Sequence, residues 1–218
     1  DDWKADNSEQ YEIKITDKSY EHPTTGAVYE NVVTNTDPVT TTIKDNTTDK
    51  PNNPSTIENN QENVILKIVA VGENGEPIIK DGKYTFANEV AEGSNAKYMV
   101  LAFKPDTTEF KVTDKLDIQS GTVEVKTFDK DATGTTTQTK EDGTQDYVSK
   151  TQKVELGKVI SVETLDDWKA DNSEQYEIKI TDKSYEHPTT GAVYENVVTN
   201  TDPVTTTIKD NTTPNTET

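Results

Sequence analysis

Four carboxylates crowd into the nine residues DDWKADNSE: Asp166, Asp167, Asp171 and Glu174. They fall between one stretch that reads as a strand, KVISVETL (158–165), and the next, QYEIKIT (175–181). Like charges this close repel unless a positive centre sits among them, and Lys169 is one cation against four anions. A hard divalent ion resolves the repulsion. Oxygen donors alone select Ca2+ or Mg2+ over zinc or copper. Further acids lie where strands are expected to end: Glu92 in EVAEGS, Asp146 in EDGTQDY and Asp210 in TIKDN. Alternate strand ends of a β-sandwich meet at one pole, so these three are expected to converge on the same ion. The competing reading of all seven is a solvated acidic surface, which a chain of formal charge −19 carries in any case.

The elements that must hold these residues read almost wholly as strand. NVILKIVAV (63–71), KYMVLAFK (97–104), GTVEVKTF (121–128), KVISVETL, QYEIKIT and PVTTTIKD (203–210) are rich in β-branched and aromatic residues. Most alternate apolar with polar positions, as half-buried strands do. Gly and Asn/Asp clusters such as GENGEP, KDGK and AEGSN separate them as turns. No sustained helical stripe occurs. Short strands without βαβ alternation predict an all-β, antiparallel β-sandwich.

A perfect internal repeat sets the boundaries. Residues 1–48 recur unchanged as 166–213, an offset of 165. Letter-perfect identity points to tandem repeats in a longer chain. We therefore expect 1–48 to be the C-terminal part of a preceding identical repeat, 49–61 (DKPNNPSTIENNQ) a linker, 62–213 a complete repeat, and 214–218 the start of another linker. Two or three orphan strands are marginal in water, so one of the two copies must complete the body 62–165. Residues 166–213 are joined to it by a tight turn, whereas 1–48 must act across a linker that reaches at most about 43–47 Å. The expectation is that 166–213 completes the body. Residues 1–48 are then loosely ordered, or paired with a neighbouring molecule by strand exchange.

Composition removes whole classes of function. The 218 residues carry 41 acidic groups against 22 basic ones, a poor match for phosphate backbones or anionic lipid. Every basic residue is lysine, so the bidentate guanidinium fork is missing. Without cysteine there are no disulfides, thiol nucleophiles or Cys-ligated metals. No apolar run approaches the roughly 20 residues needed to cross a bilayer. The histidines, His22 and His187, are one repeat position met twice in YEHPTTG turns, with no Ser or Cys nearby to complete a nucleophilic pair. Trp3 and Trp168 are expected to plug the end of a core rather than stack on a sugar. The threonine runs lack the strict short period of an ice-binding array. No motif singles out a lysine–asparagine isopeptide. No triad, phosphate loop or zinc signature marks an enzyme.

The run GTVEVKTF, then DGTQDYVSKTQKVELGKVISVETLDDWKADNSEQYEIKIT, then VTTTIKDN resembles the Calx-β motif. The likeness covers about 88–213 and the matching part of 1–48, leaving 62–87 outside the pattern. It implies an immunoglobulin-like sandwich binding Ca2+ at one end, with Glu92, Asp146, Asp166, Asp167, Asp171, Glu174 and Asp210 as the ligands. Three positions depart from it. Trp168 stands where the motif has a third aspartate, Asn211 where it has a second closing aspartate, and the DGT turn before Asp146 is short. These imply fewer ions, held less tightly. In the first copy Asp1, Asp2, Asp6, Glu9 and Asp45 correspond, but it has no counterparts of Glu92 and Asp146, so a complete site there is not expected. Identical Thr/Asp/Asn-rich repeats also resemble the extender region of giant RTX-type bacterial surface adhesins. That implies an extracellular, calcium-stabilised spacer whose partners are neighbouring identical repeats. The alternative is a module that recognises a carbohydrate or protein receptor.

Overall fold

The computed structural model describes residues 9–16, 19–24, 26, 29–43, 63–136, 144–167, 173–189, 193–194 and 196–210. The chain divides into two units, residues 5–48 and residues 1–4 with 49–218. In the smaller unit, β1 (Glu9–Ile13) and β2 (Val39–Ile43) form a two-stranded antiparallel sheet of their own. Its register sets Glu9 opposite Ile43 and Ile13 opposite Val39.

The larger unit contains β3 (Asn63–Val71), β4 (Ile79–Lys80), β5 (Lys83–Tyr84), β6 (Ala87–Ala91), β7 (Asn95–Phe103) and β8 (Thr122–Asp129). After these come β9 (Gly134–Thr135), β10 (Tyr147–Val148), β11 (Thr151–Glu155), β12 (Val159–Glu163), β13 (Glu174–Ile180), β14 (Asn196–Thr199) and β15 (Val204–Lys209). One sheet runs β11-β8-β13-β15-β6 and the other β12-β7-β3-β14. Strand alternation decides which side chains meet between them. Val64, Leu66, Ile68 and Ala70 of β3 and Ala96, Tyr98, Val100 and Ala102 of β7 share one buried cluster with Val123, Val125, Tyr176, Ile178, Ile180, Val204 and Ile208 of the opposing sheet. The larger unit is thus an all-β sandwich. Its mid-plane holds a polar thread: the Tyr98 and Tyr176 hydroxyls lie 2.6 Å apart, and Tyr98 also bonds Thr206 Oγ1. Buried hydroxyls need such partners.

One detail differs from the sequence reading. The sheets are antiparallel through most of their width, but β6 pairs parallel with β15 and β14 parallel with β3. Both parallel pairs sit at a sheet edge, where a strand from elsewhere in the chain can be added without a hairpin. Residues 63–87, outside the family pattern but within the expected repeat, help to build the core, because β3 lies between β7 and β14 and its inward side chains are fully buried.

The opposite face of β3 and β7 is also covered. Val69, Leu101 and Phe103 pack there with Tyr84 and Phe110. The rings of Tyr84, Phe86, Phe103 and Phe110 meet edge to face at centroid distances of 5.0–5.5 Å. Main-chain bonds hold the covering loops in place, Tyr84 N–H to Phe110 O and Val112 N–H to Gly82 O, each 3.0 Å.

Candidate metal site

The chain path places most of the acidic positions at one end of the sandwich. Glu92 directly follows β6, Asp210 directly follows β15, Asp146 directly precedes β10, and Glu174 opens β13. Asp166 and Asp167 lie just beyond β12. Because β6 and β15 run parallel and side by side, they end together, and Glu92 N–H donates to Lys209 O at 2.9 Å. Glu174 is paired with Ile208 across the same end. Leu165 N–H donates to Asp146 O at 2.8 Å, which ties the end of β12 to the loop before β10. Thr164 closes the remaining gap, its N–H to Ser94 O at 2.9 Å and its hydroxyl to Ala91 O at 3.1 Å.

Gly93 makes the closest of these approaches possible. A Cβ there would lie 3.0 Å from Asp166 Cβ, and its φ of +72° is one that side chains disfavour. The main chain after Glu92 therefore runs directly against the Asp166 side chain. Sequence reasoning treated Gly93 as a turn residue only. Asp129 and Asp131 were also passed over, although FDKD ends a strand on alternating acids as the other acidic loops do. The structure uses them as braces: Asp129 Oδ1 accepts from Gly134 N–H at 3.0 Å and Tyr147 OH at 2.5 Å, and Asp131 Oδ1 accepts from Gln175 N–H at 2.6 Å.

Two of the acids are inside the protein. Asp146 is 7% exposed and Glu92 9%, while Asp166, Asp167, Glu174 and Asp210 are half-buried. Burying a carboxylate costs free energy unless donors or a cation compensate. Asp146 Oδ2 accepts from Thr133 N–H at 2.5 Å. Asp171 and Trp168 lie outside the described residues. Among the described residues, no three Asp, Glu or His side chains are gathered closely enough to hold a metal ion. The backbone brings the loops together, but the carboxylates do not form a ready shell. The donors are all oxygen, which fits a hard cation in chemistry, and such an ion would have to draw the side chains inward.

His187 is exposed in its turn, with its ring edge-on to Tyr185 at 5.0 Å. No family model matches this chain, and no curated protein matches it. Among solved structures it is similar to the apo form of the Calx CBD1 domain, at 16% identity and a TM-score of 0.37, over 69% of this chain and 99% of that domain.

Proposed function

We propose that this chain is a spacer from a bacterial surface adhesin of the RTX type: one complete extender repeat with the tail of the repeat before it, outside the cell. Ca2+ at the pole formed by the ends of β6, β12 and β15 neutralises the acidic loops and stiffens the joint to the next repeat. Glu92, Asp146, Asp166, Asp167, Asp171, Glu174 and Asp210 are the ligands this reading assigns. Extracellular modules hold Ca2+ with Kd of about 10⁻⁴–10⁻³ M, so millimolar calcium keeps such a rod extended.

The observation that carries the spacer reading is the fate of the repeated sequence. In its second copy the apolar residues of β13 and β15 are buried against the body 63–165, whereas the same residues of β1 and β2 are exposed. That difference is what a partial copy of a repeat would show, its apolar face being meant for a body of its own. In the parent protein that body covers the face. In this chain, strand exchange with a neighbouring molecule is the other way to cover it.

Calcium should raise the melting temperature of the sandwich. At ten times Kd the linkage is worth about 1.4 kcal/mol per site. The double substitution Asp167→Ala with Asp171→Ala should abolish the rise. Asp2→Ala with Asp6→Ala, the same positions in the first copy, should leave it intact. A calorimetric trace that EDTA does not alter would remove calcium from the proposal.

A further inference from the structure

We propose that Lys67 and Asn200 are joined by an intramolecular isopeptide bond, formed by attack of the lysine amine on the asparagine carboxamide with loss of ammonia. The pairing of β14 with β3 creates the site. Its register sets Thr199 opposite Leu66, and Asn200 N–H continues it by donating to Leu66 O at 2.8 Å. Lys67, in β3, and Asn200, directly after β14, are therefore neighbours across the strand pair, with Lys67 Nζ 2.9 Å from Asn200 Oδ1. Holding an amine and a carbonyl this close supplies the proximity that an ordinary aminolysis lacks.

The surroundings contribute the rest. Lys67 is only 2% exposed, with Nζ 4.8 Å from the centre of the Phe86 ring and 5.7 Å from that of Phe110. Burial pushes its pKa down and so favours the neutral, nucleophilic amine, an effect that the Asp202 carboxylate partly opposes. Asp202 N–H donates to Asn200 Oδ1 at 2.9 Å, so a fixed main-chain donor already points at the oxygen that becomes negative on attack. Lys67 Nζ also donates to Asp202 O at 2.9 Å, which orients the amine. Asp202 Oδ2 lies 3.6 Å from Nζ and is the group placed to move the proton.

The reaction balances without an oxidant or other co-reactant. The Nζ lone pair forms a bond to Cγ of Asn200, giving a tetrahedral centre whose oxyanion is held by Asp202 N–H. The Asp202 carboxylate takes a proton from Nζ and delivers it to Nδ2. The Cγ–Nδ2 bond then breaks, ammonia leaves past the exposed Asp202 side chain, and a secondary amide remains. The new bond would tie β3, which opens the body, to the connection between β14 and β15, which belongs to the repeated segment. It is independent of calcium.

The first copy provides an internal control. The same turn forms there, Asp37 N–H donating to Asn35 Oδ1 at 2.9 Å, but the lysine that meets it in the second copy lies on the body strand β3. The test is intact-mass and tryptic-peptide mass spectrometry on the full chain. The expected mass is lower than the sequence mass by one ammonia. One branched peptide should join Lys67 to Asn200, with trypsin unable to cleave at Lys67. Asn200→Ala and Lys67→Met should restore the full mass for the remaining sequence, and Asn35→Ala should keep the branch. An unmodified chain mass with Lys67 cleaved by trypsin overturns the proposal. So does loss of ammonia with Lys67 still cleavable, which marks a succinimide instead.

Discussion

Residues 9–43 and 174–208 are one sequence in two settings. What they share is local. Both copies pair their first and last strands in the same register, Glu9 with Ile43 and Glu174 with Ile208. Tyr20 and Tyr185 each meet the histidine two residues on, edge to face, at 4.9 and 5.0 Å. Asn35 and Asn200 each accept the N–H two residues on at 2.9 Å. What separates the copies is burial. Ile13 is 65% exposed and Val39 69%, while their counterparts Ile178 and Val204 are fully buried. Turn chemistry and strand register follow from neighbours in sequence. An apolar face is buried only if another sheet lies over it, and the second copy finds one because β13 and β15 belong to a sheet whose inner face packs on β3 and β7 of the other sheet.

The sharpest way to break this comparison is to make the same substitution in each copy. Ile178→Ala should cost about 2–5 kcal/mol, as deletion of a buried branched side chain does. Ile13→Ala should stay within about 0.5 kcal/mol, as surface changes do. Urea unfolding of the full chain, followed through the sandwich, checks both. Equal losses at the two positions would mean that the first copy is buried in solution.

Alkaline titration probes the same core. Burial pushes the Tyr98 and Tyr176 hydroxyls above their ordinary value. A group whose folded pKa is raised contributes stability that is present below its unfolded pKa and lost as pH rises. Above about pH 10 the loss approaches about 1.4 kcal/mol per pH unit for each. In a spectrophotometric titration these two phenols should therefore ionise together with the loss of strand signal. Reversible ionisation of all nine tyrosines before unfolding would contradict the buried Tyr98–Tyr176 contact.

A smaller effect is expected where the Tyr185 ring crosses the main chain. A Cβ on Gly121 would lie 2.4 Å from that ring, and the residue's φ is +99°. Gly121→Ala should cost about 1–3 kcal/mol, the range for a residue held in a disfavoured region. It should also shift the Tyr185 and His187 ring resonances while leaving those of Tyr20 and His22 in place. Movement of both pairs together would show that the two copies share one environment.

The strands at 158–165, 175–181 and 203–210 could be read from alternation, because period-two patterning reports a face and each of these segments has one, whereas 63–71 was legible as a short apolar, β-branched run. The acidic loops could be located for a related reason: polar residues gather where a strand leaves the core. The covering loops with Phe86 and Phe110 were not legible. Nothing in their spacing says that the second face of β3 is also buried. Lys67 illustrates the limit best. In NVILKIVAV it reads as the solvent-facing break in an apolar run, yet it lies beneath two aromatic rings against Asn200, 133 positions further along the chain.

Residue order by itself determined the repeat, the strands, the turn contacts and the charge that any partner would meet, since each depends on residues within a few positions of one another. The expectation that 166–213 completes the body and that the acidic loops meet at one pole comes from linker length and strand ends, but only the tertiary structure decided which loops cover the second face of β3 and which lysine faces an asparagine. Those outcomes depend on strands far apart in the chain lying side by side, and no local pattern specifies such a pairing.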